Sequence, residues 1–328
     1  MNEEIKKEPR EVTLSFDLKK FMKKSVPMSL ALLITINSTL GVAIMQHYYY
    51  KGQINELLAY KEKINEDPLA VAREQDERLQ AEVLPEEGIE IPIMWGDIGK
   101  RLVEIGVIDE EKFASLFRSG PISGADSSYE EILAGEYDGN IVLTQENSRF
   151  VLNTLWALGL AQRSQVLDEM KQEYPQVANL AATGGWTIGK ASAMEYYGNH
   201  DLVDLTPQQQ ELVKQIAENI YRPCCNNHTA FADCNHGMAM LGLVELMVAN
   251  GNTEEEIYDT ALAVNSVWFP DTYLTIAKYM EKERDLAWED VDSKEALSAE
   301  FSSGSGFRQV LAQVEPVQSS GGGGGCGV

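Results

Sequence analysis

The sequence predicts a mainly α protein: an N-terminal single transmembrane helix, followed by a helical extracytoplasmic domain that contains a three-helix Cys/His-loop bundle. Three observations carry that expectation. Residues Ser25 to Gln46 form an uncharged, largely apolar run, close to the ~20 residues a helix needs to cross ~30 Å of hydrocarbon. Later segments repeat apolar residues at helical spacing between capping and stop signals. Finally, Cys224 to His236 holds three of the four cysteines and two of the four histidines.

Composition bounds the rest. The chain of 328 residues has room for one large or two small domains plus tails. An apolar content of 44% is ordinary for a protein with a real core. A net charge of −24 argues against nucleic acid as a partner, because phosphate binding needs clustered Lys and Arg. Its plain meaning is a solvated surface.

Residues 1–24 read as a cytoplasmic tail and 25–47 as the anchor. Lys19, Lys20, Lys23 and Lys24 precede the apolar run, and His47 and Tyr48 to Tyr50 follow it like an interfacial belt. The positive-inside rule then puts the N-terminus in the cytoplasm and the bulk of the chain beyond the cell membrane. The long basic segment and the lack of an Ala-x-Ala-like site favour an uncleaved single-pass anchor over a signal peptide. Asn37, Ser38 and Thr39 weaken the run.

Residues 51–83 are rich in Glu, Lys, Leu and Ala and read as a helical stalk interrupted by Pro68. Residues 89–200 read as a helical domain of unknown role. Ile89 to Met94 suggests a short extended piece, and Ile98, Leu102 and Ile105 share a helical face ending at Gly106. Asp109 caps a second short helix, Thr144 opens a strong one, and Ser164 to Tyr174 continues as helix to Pro175. Gly184 to Lys190 fits the Gly-x4-Gly-Lys frame of a phosphate loop, but Ala191 stands where Ser or Thr must hold magnesium and no buried strand precedes it. The expectation is a tight loop with Trp186 plugging a groove.

Residues 204–287 read as a helical Cys/His-loop domain. Thr206, Pro207 and Gln209 open a helix with a capping box, and Pro223 stops it near Arg222. Gly237 to Val248 is apolar on most faces, which marks a buried helix ending at Asn250-Gly251. Thr253 and Glu256 form a second capping box, and Phe269-Pro270-Asp271 breaks the chain before a further helix over Thr272 to Leu286. Residues 300–328 read as a disordered Gly-rich tail carrying Cys326.

The chemistry sits in the loop. Cys234 and His236 fall at the start of the apolar helix, where N–H groups and the helix dipole favour a thiolate. The chain between Cys225 and Cys234 is long enough to bring either Cys224 or Cys225 to Cys234, whereas a bridge between adjacent Cys224 and Cys225 is strained. Cys224, Cys225 and Cys234 are therefore the candidate catalytic thiols. Cys224, Cys225, His228, Cys234 and His236 together exceed the four ligands of a tetrahedral site, and their softness suits zinc or copper. A structural disulfide or closed zinc site is the plain alternative, but a disulfide does not need His228 and His236. His200 and His47 read as surface and interfacial residues.

Ile220-Tyr221-Arg222-Pro223-Cys224-Cys225, the apolar helix and Gly251-Asn252-Thr253-Glu254-Glu255-Glu256-Ile257 follow one another in a familiar order. Over about residues 218–268 the chain resembles the helical Cys-loop domain of the cytochrome c maturation thiol oxidoreductases, the haem-lyase subunit family. That family carries two cysteines separated by two residues; here Cys224 and Cys225 are adjacent and Cys234 is additional. The resemblance implies a membrane-anchored protein with outward cysteines. The expected function is a thiol–disulfide redox protein acting on a thiol-containing protein partner. A zinc or copper module on the same cluster, or a scaffold with a stapled loop, are the alternatives.

Overall fold

The structure is a computed structural model that describes residues 28–66, 68–117, 128–137 and 139–319. It is mainly helical and divides between Ala72 and Arg73 into two units. The first contains α1 (Met28–Glu66) and the opening of α2 (Pro68–Val83). The expected tail over 1–24 lies outside the described residues.

The transmembrane anchor expected over 25–47 is not supported. Among the described residues no helix is long and apolar enough to cross a membrane. The apolar stretch is instead the first part of the 39-residue α1, which runs on through Tyr48 to Tyr50 and Lys51 to Glu66. Any window of spanning length takes in Asn37, Ser38 and Thr39 or the polar residues that follow, and their desolvation cost dilutes the run. The expected placement of the chain beyond a membrane rested on that span.

The second unit begins within α2. A two-stranded antiparallel sheet pairs β1 (Ile89–Ile91) with β2 (Ile141–Leu143), Glu90 lying opposite Val142. Between them lie α3 (Ile98–Glu104), α4 (Glu110–Phe117) and α5 (Ser128–Ala134). Gly106 ends the α3 segment at φ +82°, a conformation that a Cβ disfavours. The Asp109 carboxylate accepts from the Lys112 amide at 3.1 Å, as a cap should. The strand pairing with β2 was not legible in advance, because three residues show no usable alternation.

The core is organised around two helices, α6 (Ser148–Ala161) and α9 (Asn235–Asn250), with α7 (Gln165–Glu173) and α8 (Pro207–Ala217) between them in sequence. A Cβ on Gly159 would stand 2.1 Å from the Met238 carbonyl, and one on Gly242 2.5 Å from the Leu155 carbonyl. The two backbones therefore touch, and α9 is buried from Asn235 through Val248. Trp186 fills the space expected of it: its ring meets Trp156 edge-on and its Nε1 donates to the Val107 carbonyl at 3.0 Å.

Helix α9 ends at Gly251, φ +82°, and the Thr253–Glu256 capping box opens α10 (Glu254–Trp268). Phe269 is the only residue between α10 and α11 (Pro270–Arg284). Residues 300–319 differ from the expected disordered tail. The Ser303 hydroxyl caps α12 (Gly304–Leu311), and Val310, Val314 and Val317 are buried. Gly306 lies too close to the Ala299 and Glu300 carbonyls for any side chain. What reads as low complexity is thus a tight helix start followed by a spaced apolar anchor. Residues 320–328, with Cys326, lie outside the described residues.

Two predictions follow from the α6–α9 core. Gly159→Ala forces the helices apart and lowers unfolding free energy by about 1–3 kcal/mol in a urea melt. Glu245 is fully buried on α9, and neither carboxylate oxygen has a hydrogen-bond partner. Burial raises its pKa well above the usual range, while nearby Ser164 opposes the shift. The folded state therefore favours the neutral acid, and this contribution is lost as pH rises from about 4.3 toward the raised value. Glu245→Gln should be more stable than the parent at pH 8, with the gap closing as the melts approach pH 4.

Candidate metal centre

The loop between α8 and α9 is held from several sides before any cysteine is considered. Helix α8 ends at Ala217, earlier than the expected stop near Arg222, because Ile220 and Tyr221 leave the helix to make other pairs. The Ile220 carbonyl accepts from both the amide and the hydroxyl of Thr229, at 2.8 and 2.9 Å. The Tyr221 amide donates to the Leu297 carbonyl at 2.8 Å. Its own carbonyl accepts from Asn265, whose Nδ2 also donates to the buried Tyr273 hydroxyl, itself 2.7 Å from Ser302. Further along, the Gly304 amide donates to the Cys225 carbonyl and the Ser305 amide to Asn226 Oδ1. The start of α12 thus braces the cysteine turn.

These pairs turn Arg222 inward, where it is 1% exposed. Its Nε donates to Cys234 Sγ at 3.1 Å, its remaining nitrogens to the Asn227 and Phe231 carbonyls, and one also to the Asp233 carboxylate. Asp233 is in turn held by Asn227 Nδ2 at 2.9 Å. Burial opposes the guanidinium charge, but Cys234, Cys225 and Asp233 together hold its pKa above the ordinary value. Gly237 makes the room: a Cβ there would sit 2.5 Å from the guanidinium carbon.

Cys234 caps α9, its sulfur accepting from the Gly237 amide at 3.4 Å. Its pKa is driven far down, first by hydrogen bonds from the Cys224 and Cys225 thiols, then by Arg222 and the Gly237 N–H. Cys224 goes the other way, its thiol kept protonated by the bonds it makes to Cys225 and Cys234. The Cys224 and Cys234 sulfurs are 3.7 Å apart, and the three cysteines are free. His236, the second residue of α9, is 3% exposed, and its Nδ1 has no hydrogen-bond partner. Burial pushes its pKa down to about 4, so the ring is neutral and keeps a lone pair at neutral pH. Phe269 and Trp268 pack against the ring, with centroids 4.5 and 5.6 Å away.

Two overlapping ligand groups result. In each, the donor atoms lie within 4.8 Å of one another: Cys224, Cys234 and His236 in one, and Cys225, Asp233 and Cys234 in the other. The residues present can hold a metal ion, and electrostatics distinguishes the two groups. The second already surrounds a cation, because Arg222 bonds both Cys234 and Asp233 and is stabilised by Cys225. The first meets that cation only through the shared Cys234; the Arg222 donors go to Cys234, Asn227, Phe231 and Asp233, not to Cys224 or His236.

The expected residues divide accordingly. Cys224, Cys234 and His236 converge. Cys225 is the second group's thiol, and its sulfur is directed to the Asn227 carbonyl at 4.0 Å. Cys224 and Cys225 both come near Cys234: Cys224 Sγ lies 3.7 Å from Cys234 Sγ, and Cys225 Sγ within 4.8 Å of it. His228 belongs to neither group; it lies beside Tyr221 on the face of the loop shared with Glu218 and Phe231. Arg222 and Asp233 were missed as site residues. The available signal was a charged residue on each flank of the cysteine loop, one of them adjacent to Cys234.

Comparison with known protein families, curated proteins and solved structures gave no match.

Arg222→Met removes every donor that Cys234, Asp233 and the two carbonyls share. Breaking a buried ion pair costs about 3–5 kcal/mol, and a urea melt should show the low end because Asp233 keeps some solvent contact. Arg222→Lys retains the charge without the fork and should recover only part of the loss.

Proposed function

We propose that this protein is a metal-binding module in which Cys224, Cys234 and His236 bind one zinc ion. The observation that carries the reading is His236: a buried, neutral imidazole whose Nδ1 has no partner, and one of whose ring nitrogens groups with two sulfurs. A simple disulfide leaves that nitrogen unexplained, whereas a metal uses it.

Two further points favour a dication such as zinc. Sulfurs each about 2.3 Å from a tetrahedral zinc are roughly 3.8 Å apart, and Cys224 and Cys234 stand at 3.7 Å. With both thiols ionised, Asp233 and the two thiolates outweigh Arg222 by two negative charges, which one Zn²⁺ cancels; Cu(I) would leave one uncancelled. Uncompensated charge is costly at a site this buried. Bound zinc would stabilise the loop and, with three protein ligands, leave a fourth position for water or an incoming thiol. His236 and Cys234 would fix the ion to α9, and Arg222 would hold Cys234 in its ionised form. The expected contact with a thiol-bearing protein partner is consistent with that fourth position.

Elemental analysis of reduced protein, dialysed against trace zinc, tests the assignment. One zinc per chain is expected for the parent and for Cys225→Ser and His228→Ala. Cys224→Ser, Cys234→Ser and His236→Ala should each weaken binding by at least tenfold in a chelator competition. Loss of zinc in Cys225→Ser but not in His236→Ala would reject this ligand set.

A further inference from the structure

Three thiols crowd this loop, yet their surroundings differ. Cys224 is exposed, whereas Cys225 and Cys234 are partly covered. Cys225 is pinned: its carbonyl accepts from the Gly304 amide at 2.6 Å, and its sulfur is turned to the Asn227 carbonyl. Cys234 is fixed from the other side by Arg222 and by the first turn of α9. The most exposed of these three residues is therefore also the one whose sulfur lies 3.7 Å from the fixed Cys234 sulfur. A disulfide needs the two sulfurs at about 2.05 Å, and a closure of this size is within reach of a side-chain rotation at an exposed position.

Resting on the zinc assignment above, we propose that the site is a redox-gated metal holder: a low-molecular-weight disulfide converts Cys224 and Cys234 to an intramolecular disulfide and expels the ion. In the first step Cys224 Sγ, which would carry no proton in the zinc-loaded site, attacks one sulfur of the small disulfide RSSR, forming Cys224–S–SR and releasing RS⁻. In the second, the Cys234 thiolate attacks Cys224 Sγ and displaces the second RS⁻. The two protein sulfurs lose two electrons in total, and RSSR gains them as two thiolates. Two of the three protein ligands are consumed, so His236 alone cannot retain the zinc. Cys225 takes no part, because its bracing by Gly304 and Asn227 keeps it from the exposed sulfur of the incoming disulfide.

The test uses the full chain in a Cys326→Ser background, so that the fourth thiol does not contribute. Zinc-loaded protein is titrated with oxidised glutathione while a chromophoric chelator reports free zinc. Peptide mapping then locates the new bond. The expected result is one zinc released for two thiols lost, a Cys224–Cys234 crosslink, the same behaviour in Cys225→Ser, and restored zinc binding after dithiothreitol. A protein that binds zinc and keeps it, or that pairs Cys225 with Cys234 instead, overturns the gate but leaves the zinc assignment standing. A reduced protein that binds no zinc overturns both, and mapping of the metal-free chain still reports which sulfurs pair.

Discussion

The site depends on one buried cation. The Arg222 guanidinium holds Cys234, Asp233 and two loop carbonyls at once. Without it, those acceptors would converge at the head of a buried helix with only N–H groups to offset their charge. The arrangement is an economical use of a planar, forked donor that cannot lose its proton. It also explains Gly237, whose missing side chain is the space the guanidinium occupies. Charge and backbone sterics select these two residues together.

The same constraint orders the chemistry. Arg222 engages two members of the group of Cys225, Asp233 and Cys234, whereas it meets the group of Cys224, Cys234 and His236 only at the shared Cys234. The position of α9 is in turn fixed by backbone contact with α6 through Gly159 and Gly242. A rigid helix, buried along nearly its whole length, presents Cys234 and His236; a loop braced by Tyr221, Asn265 and α12 presents Cys224. Ligands carried on such supported elements keep their geometry better than ligands on a loose turn.

Much of the fold was legible where side-chain chemistry acts locally. The capping boxes at Thr206 and Thr253, the left-handed end at Gly251 and the burial of α9 all follow from adjacent residues. What the sequence hid was non-local. The N-terminal run reads as a membrane span, yet among the described residues no helix is long and apolar enough to cross a membrane. The Ser/Gly-rich stretch near the C-terminus reads as filler until its glycines are seen against carbonyls and its valines against α11. At the site, some of the cysteines and histidines clustered in sequence also group in space, but proximity along the chain did not reveal which of them meet. Adjacent Cys224 and Cys225 both come near Cys234, but only Cys224 shares a group with His236, and His228 belongs to neither group.

X-ray absorption at the zinc edge of reduced, zinc-loaded protein tests the central claim most directly. The account predicts a first shell of two sulfurs at about 2.3 Å and at least one nitrogen at about 2.0 Å with imidazole outer scattering. A shell of three sulfurs, or one without imidazole, would mean that Cys225 or Asp233 holds the ion and would contradict the account.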